Sequence, residues 1–83
     1  MATINFPLNT EKSIRMMESE NTLVFVVDRK ATKATIKEAI ETQLGAKVAA
    51  VRTNTVLGGV KKAYVRFTAE TPAIDVATKL GML

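Results

Sequence analysis

The chain has 83 residues, of which 47% are hydrophobic, as expected for one small folded domain and not for a disordered segment. It contains no histidine and no cysteine, so the commonest general base, thiol nucleophile and thiolate metal ligand are absent. We therefore expect a single domain over residues 1–83 that is not an enzyme and holds no metal or cofactor. Twelve Lys and Arg residues against eight Asp and Glu give a net charge of +4.

Two further function classes are excluded by the pattern of apolar and glycine residues. The apolar run Leu23–Val27 is far too short to cross a bilayer, and from the first residues of the sequence we expect no secretory signal. The segment Gly58–Lys61 lacks the spacing of a phosphate-binding loop and the helix that follows one. We expect a cytoplasmic protein without membrane insertion.

Periodicity predicts seven elements along the chain. In order, these are a strand over 3–6, a helix over 11–20, a strand over 22–28, a helix over 33–44, strands over 46–55 and 60–68, and a helix over 72–80. The strand over 22–28 is apolar throughout its middle, which is typical of a strand covered on both faces. The strand over 46–55 changes its alternation between Val48 and Val51, which indicates a bulge.

Turn and cap residues set the expected ends of these elements. Pro7 should end the first strand, because proline cannot donate to a sheet. Asn9 or Thr10 can cap the first helix, and Thr32 the second. Gly45 is placed to end the second helix. The last helix is expected to have Thr71 as its cap and Pro72 as its first residue.

Apolar spacing predicts the inward side of each helix. The expected inward residues are Ile14 and Met17 of the first helix, Ile36, Ala39, Ile40, Gln43 and Leu44 of the second, and Ile74, Ala77 and Leu80 of the third. The order β-α-β-α-β-β-α then predicts an α+β fold. Its four-stranded, mostly antiparallel sheet has split β-α-β topology and strand order 1-2-4-3, with helices on both faces.

The basic residues fall into three clusters that we take as candidate RNA-binding sites. The clusters are Lys12 and Arg15; Arg29, Lys30, Lys33 and Lys37; and Arg52, Lys61, Lys62 and Arg66, with Tyr64 between cations on one strand face. In the second cluster, Lys30 and Lys33 lie at a helix start, where positive charge is mildly unfavourable for folding. This mismatch indicates a bound anion, with nucleic acid phosphate as the leading candidate.

Tyr64 has two interpretations that the residues alone leave open. Its ring can stack on a base or ribose, as aromatic side chains do in RNA-binding proteins. It can equally be half-buried beneath the first helix. For any one lysine of the clusters, a solvated surface charge is the simpler explanation.

The ordered motifs resemble the ribosomal large-subunit protein twenty-three family, in its archaeal form, over essentially the whole chain. They are Pro7, Thr10–Lys12, Asn21, Phe25–Asp28, Ala31–Lys33, Ile36–Lys37, Val48, Val51, Thr53, Gly59 and Lys61–Val65. The short loop between Thr55 and Lys61 differs from the longer hairpin loop of bacterial members, and we expect no basic N-terminal extension of the kind that cytosolic eukaryotic members carry. It departs from the family at Arg52, where Asn is common.

The resemblance implies a structural, ribosome-bound protein that binds large-subunit ribosomal RNA near the polypeptide exit tunnel. It also implies ribosomal protein twenty-nine as a neighbour, and docking of the signal recognition particle and nascent-chain factors. Glu11 matches the glutamate that docks a chaperone in bacterial members, and we expect a docking surface around Glu11 and Glu18. The alternative is a free-standing protein-interaction or nucleic-acid-binding regulatory domain.

Overall fold

The computed structural model of the chain describes residues 3–56 and 58–81. Its elements are β1 Ile4–Pro7, α1 Glu11–Glu20, β2 Thr22–Val27, α2 Lys33–Leu44, β3 Val48–Thr55, β4 Lys61–Phe67 and α3 Ala73–Lys79. This is the predicted order. The predicted bounds of α1 and α2 are confirmed to the residue.

The four strands form one sheet in the order β1-β2-β4-β3, and every neighbouring pair is antiparallel. Strands β2 and β3 therefore run parallel to each other on either side of β4, and α2 makes the crossover between them. The predicted α+β fold with split β-α-β topology is confirmed.

The main core lies on one face of this sheet, where α2 and α3 pack. Its buried residues include Leu23, Phe25 and Val27 of β2, Ala63, Val65 and Phe67 of β4, Ile36 and Ile40 of α2, and Ala73, Val76 and Ala77 of α3. On the opposite face of β2, Thr22 and Val24 are also buried, and so is Met16 of α1. This burial agrees with helices on both faces of the sheet.

Local hydrogen bonds explain where α1 and α2 begin and end. The hydroxyls of Thr10 and Thr32 each accept a hydrogen bond from the backbone N–H three residues later. The hydroxyl of that later residue in turn accepts from the backbone N–H of the threonine, which completes a capping box. Asn21 and Gly45 follow these helices in the left-handed conformation, which ends each helix. The N–H of Asn21 donates to the carbonyl of Met16, and the N–H of Gly45 donates to the carbonyl of Glu41.

Pro7 is the last residue of β1 and still pairs with Phe25, so the strand ends one residue later than predicted. The next residue, Leu8, donates its N–H to the carbonyl of Val24 at 2.8 Å. Since successive N–H groups along a strand point to opposite sides, the nitrogen of Pro7 faces away from β2. An edge strand has no partner there, so the missing donor costs nothing.

The predicted start of α3 is also wrong. Pro72 is the N-cap residue and makes no side-chain cap bond, so α3 begins at Ala73. The hydroxyl of Thr71 accepts from the N–H of Lys47 instead, at 3.2 Å. The inward side of the helix is correspondingly different, because Val76 is buried while Ile74 is 48% exposed. In α2, Gln43 is exposed, whereas the other expected inward residues are buried or half-buried.

Two bulges interrupt the sheet. The one predicted in β3 is confirmed between Val48 and Ala50. A second bulge, which was not predicted, lies between Ile4 and Phe6 of β1. It turns Phe6 away from the face that Ile4 shares with the core, and the Phe6 side chain is 52% exposed.

Candidate nucleic-acid interface

The β3–β4 hairpin presents three cations and one aromatic ring on the same side of the sheet. Residues Lys62, Tyr64 and Arg66 alternate with the buried residues of β4, so they share the face opposite the main core. The strand register places Arg52 directly opposite Tyr64. The guanidinium carbon of Arg52 lies 5.6 Å from the centre of the Tyr64 ring. We name Arg52, Lys62, Tyr64 and Arg66 the hairpin face.

Helix α1 borders the hairpin face and adds a fourth cation. Its residues Lys12, Met16 and Glu20 recur every four positions, which places them on one side of the helix. Together with Arg52, Thr53, Asn54 and Tyr64, they line an open cleft of 450 Å³. The structure thus brings Lys12 of the first predicted cluster beside the third.

A second cavity of 330 Å³ borders the same residues. It is lined by Glu20, Thr22, Ala50, Arg52, Tyr64 and Arg66, so it shares three residues with the larger cleft. The ring of Tyr64 is half-buried and lines both cavities. The ring is thus half-buried beside α1, as the second interpretation predicted, and the part of it that remains open leaves stacking on a base or ribose as a prediction.

Arg15 is placed differently from Lys12. Its guanidinium donates to the carboxylate of Glu11 one turn earlier, at 2.6 Å, and both side chains are largely exposed. Arg15 is not among the residues that line the two cavities beside Tyr64. The first predicted cluster is therefore divided between two parts of the surface.

Lys61 lies on the core side of β4 and belongs with the second cluster. Its ammonium group donates to the backbone carbonyl of Ala31 at 2.6 Å, which ties the hairpin to the loop before α2. It lines an open cavity of 730 Å³ together with Arg29 and Lys30. We name Arg29, Lys30 and Lys61 the junction cluster.

Arg29 packs against the turn of the hairpin. A Cβ atom at Gly59 would lie only 3.3 Å from the guanidinium carbon of Arg29, so the missing side chain makes room for this contact. The neighbouring loop is closed by Asp28, whose carboxylate accepts from the N–H of Lys30 at 2.9 Å. Two contacts between the loop and the hairpin thus hold the junction cluster together.

Lys33 and Lys37 are exposed on α2, and neither is among the residues that line these cavities. Within residues 3–56 and 58–81, the ion pairs are Arg15–Glu11 and Lys47–Glu70. Apart from Arg15, the candidate cations in those ranges therefore have no carboxylate of the described residues within 4 Å, and among them Lys61 already donates to the carbonyl of Ala31.

Sequence analysis did not assign Met16, Glu20 or Asn54 to the candidate interface. Met16 is buried, and it also lines the cleft beside Tyr64. The spacing of Lys12, Met16 and Glu20 was the available signal. It could be used only once the neighbour of that side of α1 was known.

The described residues contain neither a candidate metal site nor a candidate membrane-spanning helix. In that part of the chain, no three His, Cys, Asp or Glu side chains are grouped so that they could hold a metal ion. None of the helices described has the length and hydrophobicity that a bilayer-crossing segment requires.

Comparison with known proteins identifies the family. The family model described as Ribosomal protein L23 matches residues 2–78. The chain belongs to the ribosomal protein L23 family. L23 proteins are structural proteins of the ribosome and not enzymes, which confirms the expectation drawn from the missing histidine and cysteine. The expected ribosome-bound location in the cytoplasm follows from the same membership.

Two L23 relatives show how far the similarity extends. The large ribosomal subunit protein uL23 of Methanococcus vannielii is 48% identical over 79 residues, which are 95% of this chain and 92% of the relative. The large ribosomal subunit protein uL23 of Tetrahymena thermophila is 40% identical over 82 residues. That match covers 99% of this chain but 55% of the relative, so the chain spans about half the length of the Tetrahymena protein.

Proposed function

We propose that this L23 chain is a structural constituent of the large ribosomal subunit and that its hairpin face binds large-subunit ribosomal RNA. The observation that carries the proposal is the convergence of Lys12 from α1 with Arg52, Lys62 and Arg66 from the hairpin, around one aromatic ring. Both relatives described above are named as large-subunit proteins.

The rigid placement of these charges suits a folded polynucleotide better than a flexible one. The hairpin cations lie on paired strands, and Lys12 lies on a capped helix, so their mutual distances are fixed by backbone hydrogen bonds. Contacts to phosphates supply most of the affinity for nucleic acid, and a fixed pattern of contacts selects a fixed pattern of phosphates. A half-buried ring among the cations adds a surface on which a base or ribose can stack.

The junction cluster forms a second contact region in this proposal. Its cations lie at the hairpin turn, at the end of β4 away from Arg66. Lys33 and Lys37 continue the positive charge along α2. We infer that these residues contact phosphates, whereas the hairpin face also contacts bases.

We further propose that the chain lies near the polypeptide exit tunnel, beside ribosomal protein twenty-nine. In this position it docks the signal recognition particle and nascent-chain factors through α1. Glu11 supports this role because its side chain is 81% exposed. Glu18 is also exposed and lines a further cleft of 510 Å³ with Asn21 and Arg66. Exposed carboxylates beside an RNA-binding surface are suited to protein partners, because phosphate repels them.

Sedimentation of cell lysate tests the proposal. The chain is expected to travel with large subunits at moderate salt, and a crosslinking map of those subunits should place Arg52, Tyr64 and Arg66 against RNA. A chain that remains in the soluble fraction would instead support the alternative, a free-standing interaction or regulatory domain.

A further inference from the structure

The cleft between α1 and the hairpin contains a carboxylate among its cations. Glu20 lines the 450 Å³ cleft with Lys12 and Arg52, and it lines the adjoining 330 Å³ cavity with Arg66. Within the described ranges, no Lys or Arg nitrogen lies within 4 Å of its carboxylate. A site for phosphates alone gains nothing from a free carboxylate, because like charges repel.

The position of Glu20 is also unfavourable for α1 itself. It is the last residue of the helix, where backbone carbonyls make the environment negative, and no basic residue occupies the last turn. The exposed carboxylate at this point borders the cleft and is open to an interaction outside the chain. The interaction must offer hydrogen-bond donors, because an ionised carboxylate only accepts.

The other walls of the cleft suit a flat heterocycle. The Tyr64 ring is half-buried, and the Arg52 guanidinium carbon lies over it, 5.6 Å from the ring centre, so the cleft contains two planar groups on which a base can stack. Met16 adds an apolar wall, and Asn54 adds an amide at the rim. Lys12 and Arg52 place two cations on the walls of the same cleft.

We propose that this cleft receives one unpaired guanine of the RNA, with Glu20 accepting hydrogen bonds from its Watson–Crick edge. The inference rests on the proposed RNA-binding function and names the nucleotide that the hairpin face selects. Guanine is the base whose edge carries two adjacent donors, N1–H and the 2-amino group, which match the two oxygens of a carboxylate. Adenine and cytosine offer one amino group beside an acceptor, and uracil offers one imino group between two acceptors. Stacking on Tyr64 and Arg52 positions the base, and the Glu20 carboxylate selects guanine over the other bases.

The chain provides its own spectroscopic probe of this site. Tyr64 is its one tyrosine and there is no tryptophan, so the intrinsic fluorescence of the protein reports on the cleft. Seven-nucleotide uridine RNAs with a central guanosine, inosine, adenosine or uridine are titrated into the full chain, and quenching of Tyr64 is followed. Inosine is the sharpest comparison, because it differs from guanosine only by the missing 2-amino group.

The guanosine RNA is expected to bind about tenfold more tightly than the inosine RNA, as for a hydrogen bond to a charged acceptor. In Glu20→Gln this preference is expected to fall to about twofold or less, since a side-chain amide has one acceptor oxygen. The affinity for the all-uridine RNA should stay equal or rise, because a negative charge has been removed. Glu38→Gln, which makes the same charge change on the exposed side of α2, should keep the guanosine preference.

Equal binding of all four RNAs, absence of Tyr64 quenching, or a guanosine preference that survives in Glu20→Gln would each overturn the guanine site. Sedimentation of the wild-type chain with large subunits is measured alongside. If the chain still travels with the subunits, only the guanine site is lost. If the chain remains soluble, the proposed function itself fails.

Discussion

The side-chain oxygen of Asn21 accepts a hydrogen bond from the backbone N–H of Ala73 at 2.6 Å, which joins the end of α1 to the start of α3. The Asn21 amide nitrogen also donates to the carbonyls of Phe67, Thr68 and Thr71, at 3.2, 3.1 and 3.0 Å. Asn21 thereby supplies the helix cap that Pro72 cannot make. It also fixes α1, which borders the candidate interface, relative to the end of β4.

Replacing Asn21 with Ala should lower the free energy of unfolding by about 2 kcal/mol, because a helix cap and several bonds to backbone carbonyls are lost. Alanine also tolerates the φ of 53° at this position less well than asparagine. Urea unfolding measures the effect. Asn9→Ala, at an exposed position, is the control and should change stability by less than about 0.5 kcal/mol. Equal losses in both variants would show that Asn21 is not a structural junction.

Gly59→Ala should move Arg29 away from the hairpin turn, because the added methyl group would lie 3.3 Å from the guanidinium carbon. Gly58→Ala is a matched control. Gly58 also has positive φ, but nothing lies within 4 Å of its added Cβ. Both variants should lose about 1 kcal/mol of stability from backbone strain. The NMR signal of the Arg29 side-chain N–H should shift only in Gly59→Ala, and identical signals in both variants would refute the contact.

Two adjacent lysines of β4 should affect different properties of the protein when each is changed to Met: Lys61 the stability of the fold, and Lys62 the affinity for RNA. Lys61→Met removes the bond to the carbonyl of Ala31 and should cost about 1 kcal/mol of stability. Lys62→Met leaves that bond intact, so its free energy of unfolding should change by less than that of Lys61→Met. Its affinity for RNA should be lower than that of the wild-type chain. Urea unfolding and RNA titration of both variants check this. Destabilisation by Lys62→Met instead of Lys61→Met would contradict the assignment of the two faces.

Glu11→Ala should separate factor docking from folding. The Glu11–Arg15 pair is exposed and lies one helical turn apart, so its loss should cost only about 0.5 kcal/mol. Ribosomes that carry the variant should assemble normally but bind the signal recognition particle more weakly, as measured by co-sedimentation. Glu38→Ala serves as the control for loss of one exposed carboxylate. Undiminished recruitment by Glu11→Ala would leave Glu11 with its exposed ion pair to Arg15 alone.

The parts of the fold that could be predicted from the sequence depend on interactions between near neighbours. Thr10 and Thr32 begin their helices through bonds to residues three positions later, which a short sequence window contains. Gly45 ends α2 for an equally local reason, its left-handed conformation. Alternation along β4 likewise placed Tyr64 on one face with its neighbouring cations.

The parts that could not be predicted depend on residues far apart in the chain. The cap of α3 comes from Asn21, which is 52 positions from Ala73, so Thr71 was the better local candidate. Without that contact, the start of α3 was placed one residue early and Ile74 was assigned to the core. The tolerance of Pro7 within β1 depends on its being at the edge of the sheet, which only the strand order reveals.

The candidate site also combines features that local sequence predicts with features that depend on residues far apart in the chain. Its hairpin cations were expected together, but the placement of Lys12 and Glu20 beside Tyr64 depends on the packing of α1. Lys61 was grouped with the hairpin because of its position in the sequence. Its side chain lies on the opposite face of β4 from Lys62, and one of its N–H donors bonds to the carbonyl of Ala31.

Charge reversal on the hairpin face tests the central claim most directly. The double variant Lys62→Glu with Arg66→Glu is compared with a control double variant, Lys47→Glu with Lys79→Glu. The control changes the net charge by the same amount, at residues outside the candidate interface. Binding to protein-free large-subunit ribosomal RNA is measured over a range of salt concentrations. The hairpin variant should lose at least about a hundredfold in affinity and show a shallower salt dependence, since at least two phosphate contacts are removed. The control should lose less than about tenfold. Equal losses in the two variants would show that bulk charge, and not the hairpin face, binds the RNA.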